Sequence, residues 1–138
     1  MKFSTVPVQE KIIKPWGYEI LYTPKNLRRT GKILFITAGK RLSFQYHDEK
    51  EETLCLFSGG AMLWIENADG QIEKKPMEAQ KGYTIVCGQK HRVEAIEDSF
   101  VIEVSDPERG NTYRVEDDFA RTTETEVDRQ EKHRGWKP

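Results

Sequence analysis

From Tyr18 onward, short apolar runs and alternating apolar–polar runs are cut every few residues by glycine or by asparagine and aspartate turns. That rhythm predicts strands and no long helix. Tyr18 to Tyr22 extends until Pro24, and Ile33-Leu34-Phe35-Ile36 is a continuous apolar run that implies burial on both faces. Between Arg41 and His47 the alternation is inverted: Arg41, Ser43, Gln45 and His47 share one face, and Leu42, Phe44 and Tyr46 the other. A polar inner face suits a strand lining a wet site, with its apolar outer face covered by another strand or a second subunit. Thr53 to Phe57, Ala61 to Ile65, Gln71 to Met77, Tyr83 to Val86, Arg92 to Ile96 and Phe100 to Ser105 complete the set. Asp69-Gly70 is a hairpin signal, and Pro76 demotes its strand toward a sheet edge. The expectation is an all-β, antiparallel, single-domain sandwich or barrel.

Composition narrows this picture. At 138 residues the chain supports one core. Barrel and N-terminal arm are expected over residues 1–121, with residues 1–11 as the arm, and a polar tail or short helix over 122–138. Net charge is −1, from 22 basic and 23 acidic residues, which gives no electrostatic case for nucleic acid or an anionic membrane. No apolar run approaches a membrane span, and the first residues lack an apolar signal core. Cys55 and Cys87 form no close-spaced metal pair, which reads as a reduced, cytoplasmic protein. The apolar outer face Leu42, Phe44 and Tyr46 predicts a homodimer.

Candidate chemistry concentrates between Gly39 and Gly59. Gln45 and His47 point to one face, Glu52 follows a charged turn, and His91 opens a later strand on a face with Val93 and Ala95. An amide oxygen, two imidazoles and a carboxylate suit one divalent first-row ion, with zinc, manganese, iron, cobalt and nickel not separable. Arg41 is inward by the same alternation, either toward an anionic ligand or in an ion pair with an inward carboxylate. Lys50 sits in the charged turn, where exposure is the default. Glu103 shares a face with Val101 and Ser105, and the sequence leaves open which face looks inward. Trp16 reads either as a sugar-stacking ring or as a staple for the arm.

The spacing Gly39, five residues, Gln45, Tyr46, His47, four residues, Glu52, six residues, Gly59 resembles the first motif of the cupin superfamily, with Gln45 in place of a histidine. Ser43-Phe44-Gln45-Tyr46-His47 through Lys50 and Glu52 is similar to the cupin domain of type II phosphomannose isomerases, the kind associated with mannose-1-phosphate guanylyltransferase. Gly88, His91 and Arg92 fit the second motif more loosely, and Lys14 to Glu19 and Arg114 to Arg121 resemble flanking pieces of the same group. The resemblance implies a jelly-roll barrel, with Gln45, His47, Glu52 and His91 holding the metal. It also implies aldose–ketose isomerisation of mannose 6-phosphate or a related sugar phosphate. Glu103 is the candidate base, and Arg41 and Lys50 the candidate phosphate contacts at the rim. Two other readings stay open: a cupin that binds a metal and a sugar without turnover, and a different cupin enzyme such as an iron oxygenase.

Overall fold

β-branched and aromatic residues at alternating positions, broken by turns, produce strands throughout. The computed structural model describes residues 3–134, 136 and 137. Its strands are β1 (Glu10–Lys14), β2 (Gly17–Leu21), β3 (Thr30–Ile36), β4 (Phe44–His47), β5 (Glu52–Ser58), β6 (Ala61–Glu66), β7 (Ile72–Pro76), β8 (Gly82–Ile85), β9 (His91–Ala95), β10 (Ser99–Ser105) and β11 (Thr112–Glu116). One short 3-10 helix, Asp128–Gln130, follows. No helix among the described residues is long and apolar enough to cross a membrane.

The strands form two antiparallel sheets, ordered β1-β2-β3-β10-β5-β8 and β11-β4-β9-β6-β7. Inward positions of both sheets build the core: Leu34, Ile36, Leu54, Leu56, Leu63, Ile85, Val93 and Val101, with Trp16 and Met77. Burying each of the larger aliphatic side chains contributes roughly 1.5–3 kcal/mol. Gly59 closes β5 at φ 96°, where an added Cβ would meet the Asp98 carbonyl oxygen at 2.3 Å. Only glycine fits that turn. The β6–β7 hairpin turns where Asp69-Gly70 predicted, and all of β7 is exposed, as a polar edge strand should be.

Four expectations change. Ile33 and Phe35 are only half-buried, because they face outward from the six-stranded sheet, where no second layer of the described residues covers them. Regular pairing in the motif strand starts at Phe44, and Arg41 makes only an isolated bridge to Glu94. The alternation therefore loses phase between Arg41 and Ser43: Leu42 packs against the core, and Arg41 looks outward. Leu42 therefore leaves the expected apolar outer face, on which Phe44 and Tyr46 remain half-buried, Phe44 beside Trp64 and Tyr46 stacked on Tyr113 at 4.9 Å. A second half-buried aromatic row lies on the outer face of the six-stranded sheet, where Tyr18, Phe35 and Phe100 stack in series at 5.1 and 5.0 Å. Finally, β11 was absent from the sequence reading, and the tail returns to it: Thr112 and Glu124 exchange backbone hydrogen bonds of 2.9 Å.

Candidate metal centre

Three neighbouring strands deliver the set. β4 carries Gln45 and His47, β5 opens on Glu52, and β9 opens on His91, with Gln45 and His91 directly opposite across the β4–β9 pair. His47, Glu52 and His91 are buried, and their ligand atoms lie within 4.8 Å of one another. His91 Nδ1 is 2.9 Å from the Gln89 carbonyl, which can only accept, so a neutral His91 ring carries its proton there and presents a lone pair at Nε2. That Nε2 lies 2.9 Å from Glu52 Oε1 without a hydrogen bond, an acceptor facing an acceptor. His47 Nε2 approaches the same oxygen at 3.3 Å, and its Nδ1 meets the Thr112 hydroxyl at 2.9 Å. Burial pushes His47 down to about 4, with Lys50 adding to the effect, so the ring is neutral at pH 7. Lone pairs converging on one carboxylate oxygen repel unless a cation lies among them. The residues fit a divalent ion. Gln45 lines the same cavity, with its amide oxygen accepting from Ser43 at 2.6 Å and one lone pair left.

Lys50 lies inside, not at a solvated rim. Its ammonium bridges Glu52 Oε2 at 3.4 Å and Glu103 Oε2 at 3.3 Å, and those two carboxylates draw it out of the charged turn. Lys50 is thereby raised: burial opposes its charge, and Glu103 and Glu52 outweigh it. Burial also works against Glu52, but the Lys50 ammonium holds it well below the usual carboxylate range. Glu103 is on the inward face of β10 with Val101 and Ser105, and Ser105 donates to its Oε2 at 2.8 Å. Burial, aided by the neighbouring Glu52 charge, pushes Glu103 up to about 7 against the pull of Lys50 and Lys32.

Leu34, Leu54 and Val93 floor a cavity of about 70 Å3 above which the polar groups converge. Further charged residues complete the wall: Lys14 and Lys32 hold Glu19 at 3.2 and 2.8 Å, Lys32 also pairs with Glu108, and Arg114 and Glu124 stand across from them. Lys14, Glu19 and Arg114 lie in the two flanking pieces that the sequence pointed to, without a role assigned there, and Lys32, Glu108 and Glu124 were not singled out from sequence. Alternation in Thr112-Tyr113-Arg114 was the available signal, since it puts Thr112 and Arg114 on one face, opposite His47 and Gln45. Arg41 is not in the cavity. Its guanidinium is held by Asp118 at 2.6 and 2.8 Å and lies over Trp64, so the ion pair accounts for it, though with an outward carboxylate.

Two antiparallel sheets closed over a polar cavity, with the motif residues at one end, give this chain the single-domain cupin fold. No family model matches the chain, and no curated protein does. Among solved structures, a point variant of Bacillus subtilis oxalate decarboxylase superposes with a TM-score of 0.65 at 16% identity, over 78% of this chain and 30% of that one. A deletion variant of the same enzyme gives 0.68 at 14% identity, over 83% and 33%. KdgF from Halomonas sp. gives 0.61 at 16% identity, over 70% of this chain and 85% of that one. All are cupin-fold proteins, and this chain spans about a third of the length of the decarboxylase.

Proposed function

We propose that the chain is a metal-dependent isomerase that interconverts an aldose phosphate, of the mannose 6-phosphate kind, and its ketose. The observation that supports this most is Glu103: a buried carboxyl poised near neutrality in the same cavity as His47, Glu52 and His91. Gln45, His47, Glu52 and His91 are the proposed ligands for one ion of zinc, manganese, iron, cobalt or nickel. Such an ion, when bound, polarises substrate oxygens. Glu103 then serves as the base that takes a proton from one sugar carbon and returns it to the next, because its pKa matches working pH. Lys50 and Ser105 both engage Oε2 and hold the carboxyl in place for that work.

The test is to load the protein with each metal and follow conversion of mannose 6-phosphate to its ketose. Glu103→Gln should lower kcat by roughly 10²–10⁴-fold with metal content unchanged. A second reading follows from the 70 Å3 volume, which suits a small carboxylic acid better than a sugar. The oxalate decarboxylase neighbours have Mn(II) centres, so oxalate with manganese is the natural second substrate assay. Turnover of neither compound, with metal bound, makes the chain a binding module. We also infer that two copies pair through the outer face of the six-stranded sheet, whose half-buried Tyr18–Phe35–Phe100 stack carries Lys11 over Tyr18 but no second layer among the described residues.

A further inference from the structure

The returning tail, residues 122–134, is held by ion pairs and hydrogen bonds, including the backbone pair between Thr112 and Glu124 and the Arg129 bond to the Gly110 carbonyl, and not by apolar packing. None of its residues belongs to the apolar core, and Val127 is 74% exposed. Instead Glu124 is buried among Lys14 at 4.0 Å, Arg114 at 3.4 Å, Arg129 at 3.0 Å and Arg134 at 3.8 Å. Arg129 and Arg134 belong to the same segment and travel with it. Lys14 and Arg114 belong to the barrel and face the cavity that holds Gln45, His47 and Glu52.

Arg114 is poorly served by this arrangement. Its guanidinium donates to the Thr122 carbonyl at 2.6 Å and to Glu124 Oε2 at 3.4 Å, both on the tail. Its Nε is buried and has no partner among the described residues. The Nε and terminal nitrogen of an arginine form a fork that fits two oxygens of one phosphate or carboxylate. Glu124 fills one tine and leaves the other bare. The cavity is also small for a ligand, since pockets that take small molecules run to roughly 300–1,000 Å3.

We propose that Lys14 and Arg114 form an oxyanion subsite in the cavity, and that Glu124 is its internal occupant, displaced with the tail when an anionic ligand enters. This deepens the sugar-phosphate reading by assigning the phosphate to Lys14 and Arg114, in place of Arg41 and Lys50. It uses no metal. A phosphate satisfies both tines of Arg114, takes over the Lys14 contact, and enlarges the cavity by the volume the tail vacates. Neutralising Glu124 should therefore favour the ligand by removing its competitor.

The experiment is calorimetric titration of inorganic phosphate into the full chain, metal-free and metal-loaded. Glu124→Gln should bind phosphate about tenfold or more tightly than wild type, the worth of a charge-assisted contact. Adding Arg114→Lys, which keeps the charge but not the fork, should remove that gain. Equal affinity in wild type and Glu124→Gln, or a gain that survives Arg114→Lys, overturns the proposal. Should Glu124→Gln fail to fold, hydrogen exchange on wild type decides. Saturating phosphate should speed exchange of the Thr112 and Glu124 amides about tenfold and leave Leu34 and Val101 unchanged. Unaltered or slower exchange at Thr112 and Glu124 overturns displacement. A phosphate response in a protein that takes up no metal overturns the metal reading alone.

Discussion

At the scale of single residues, the cavity joins two groups whose titrations oppose each other. Glu103 has its folded pKa raised to about 7, so the folded state holds a proton that the unfolded chain gives up near the ordinary carboxylate value. Its stabilising effect is full below that value and is lost as pH rises through about 7. His47 is lowered to about 4, so its unfolded ring binds the proton first, and stability is lost as pH falls from about 6.5 toward 4. The two slopes cancel across the shared window. Metal-free wild type should therefore show a nearly flat Tm between about pH 5.5 and 6.5, above the range in which Glu19, Glu52 and Glu108, all held low in the folded state, add an acid-side loss of their own. Glu103→Gln should show a Tm that rises with pH there, and parallel slopes for the two proteins would contradict the assignment. Thr112→Val should cost roughly 10–100-fold in metal affinity, because the hydroxyl orients His47, with little change in Tm. Titration with a competing chelator measures it. Gln45, His47 and Glu52, proposed as ligands, stood out because their types and spacing are local, whereas His91 comes from a strand far along the chain. Lys50 was misplaced because a buried ammonium becomes tolerable only when two carboxylates from separate strands meet it.

At the scale of elements, the motif strand shows what alternation can and cannot deliver. The two-residue period placed Gln45 and His47 on one inward face, and the structure agrees. Carried back to Arg41 it failed, because the period holds only where ladder pairing is continuous and that pairing begins at Phe44. β11 was missed because only Tyr113 and Val115 give Thr112-Tyr113-Arg114-Val115-Glu116 an apolar side, and that side points outward while its inward side is polar to suit the cavity. The sequence showed turns more reliably. Gly59→Ala should destabilise by at least ~2 kcal/mol, from the left-handed backbone and the clash with the Asp98 carbonyl. Urea unfolding of the metal-free variant checks it, and a loss within ~0.5 kcal/mol would mean the turn relaxes at little cost.

At the scale of the whole molecule, an antiparallel sandwich or barrel followed from strand rhythm and its jelly-roll form only from the motif resemblance, whereas the face proposed for pairing followed from neither. A continuous apolar run says that both sides want cover, without saying which chain supplies it. Placing Glu at Phe35 and Phe100 together should convert a dimer to a monomer in sedimentation velocity without loss of the β-sheet spectrum. A wild type that is monomeric at micromolar concentration refutes the pairing. The interior has a thermal consequence of its own. Lys14, Glu19, Lys32, Lys50, Glu103 and Glu124 are all buried, so this barrel is filled in large part with ions. Exposing polar surface on unfolding lowers the heat capacity that exposing apolar surface raises. The heat-capacity change of unfolding should then fall below the usual ~12–15 cal/mol/K per residue. The stability curve broadens accordingly, and the cost of keeping those charges dry shrinks on warming.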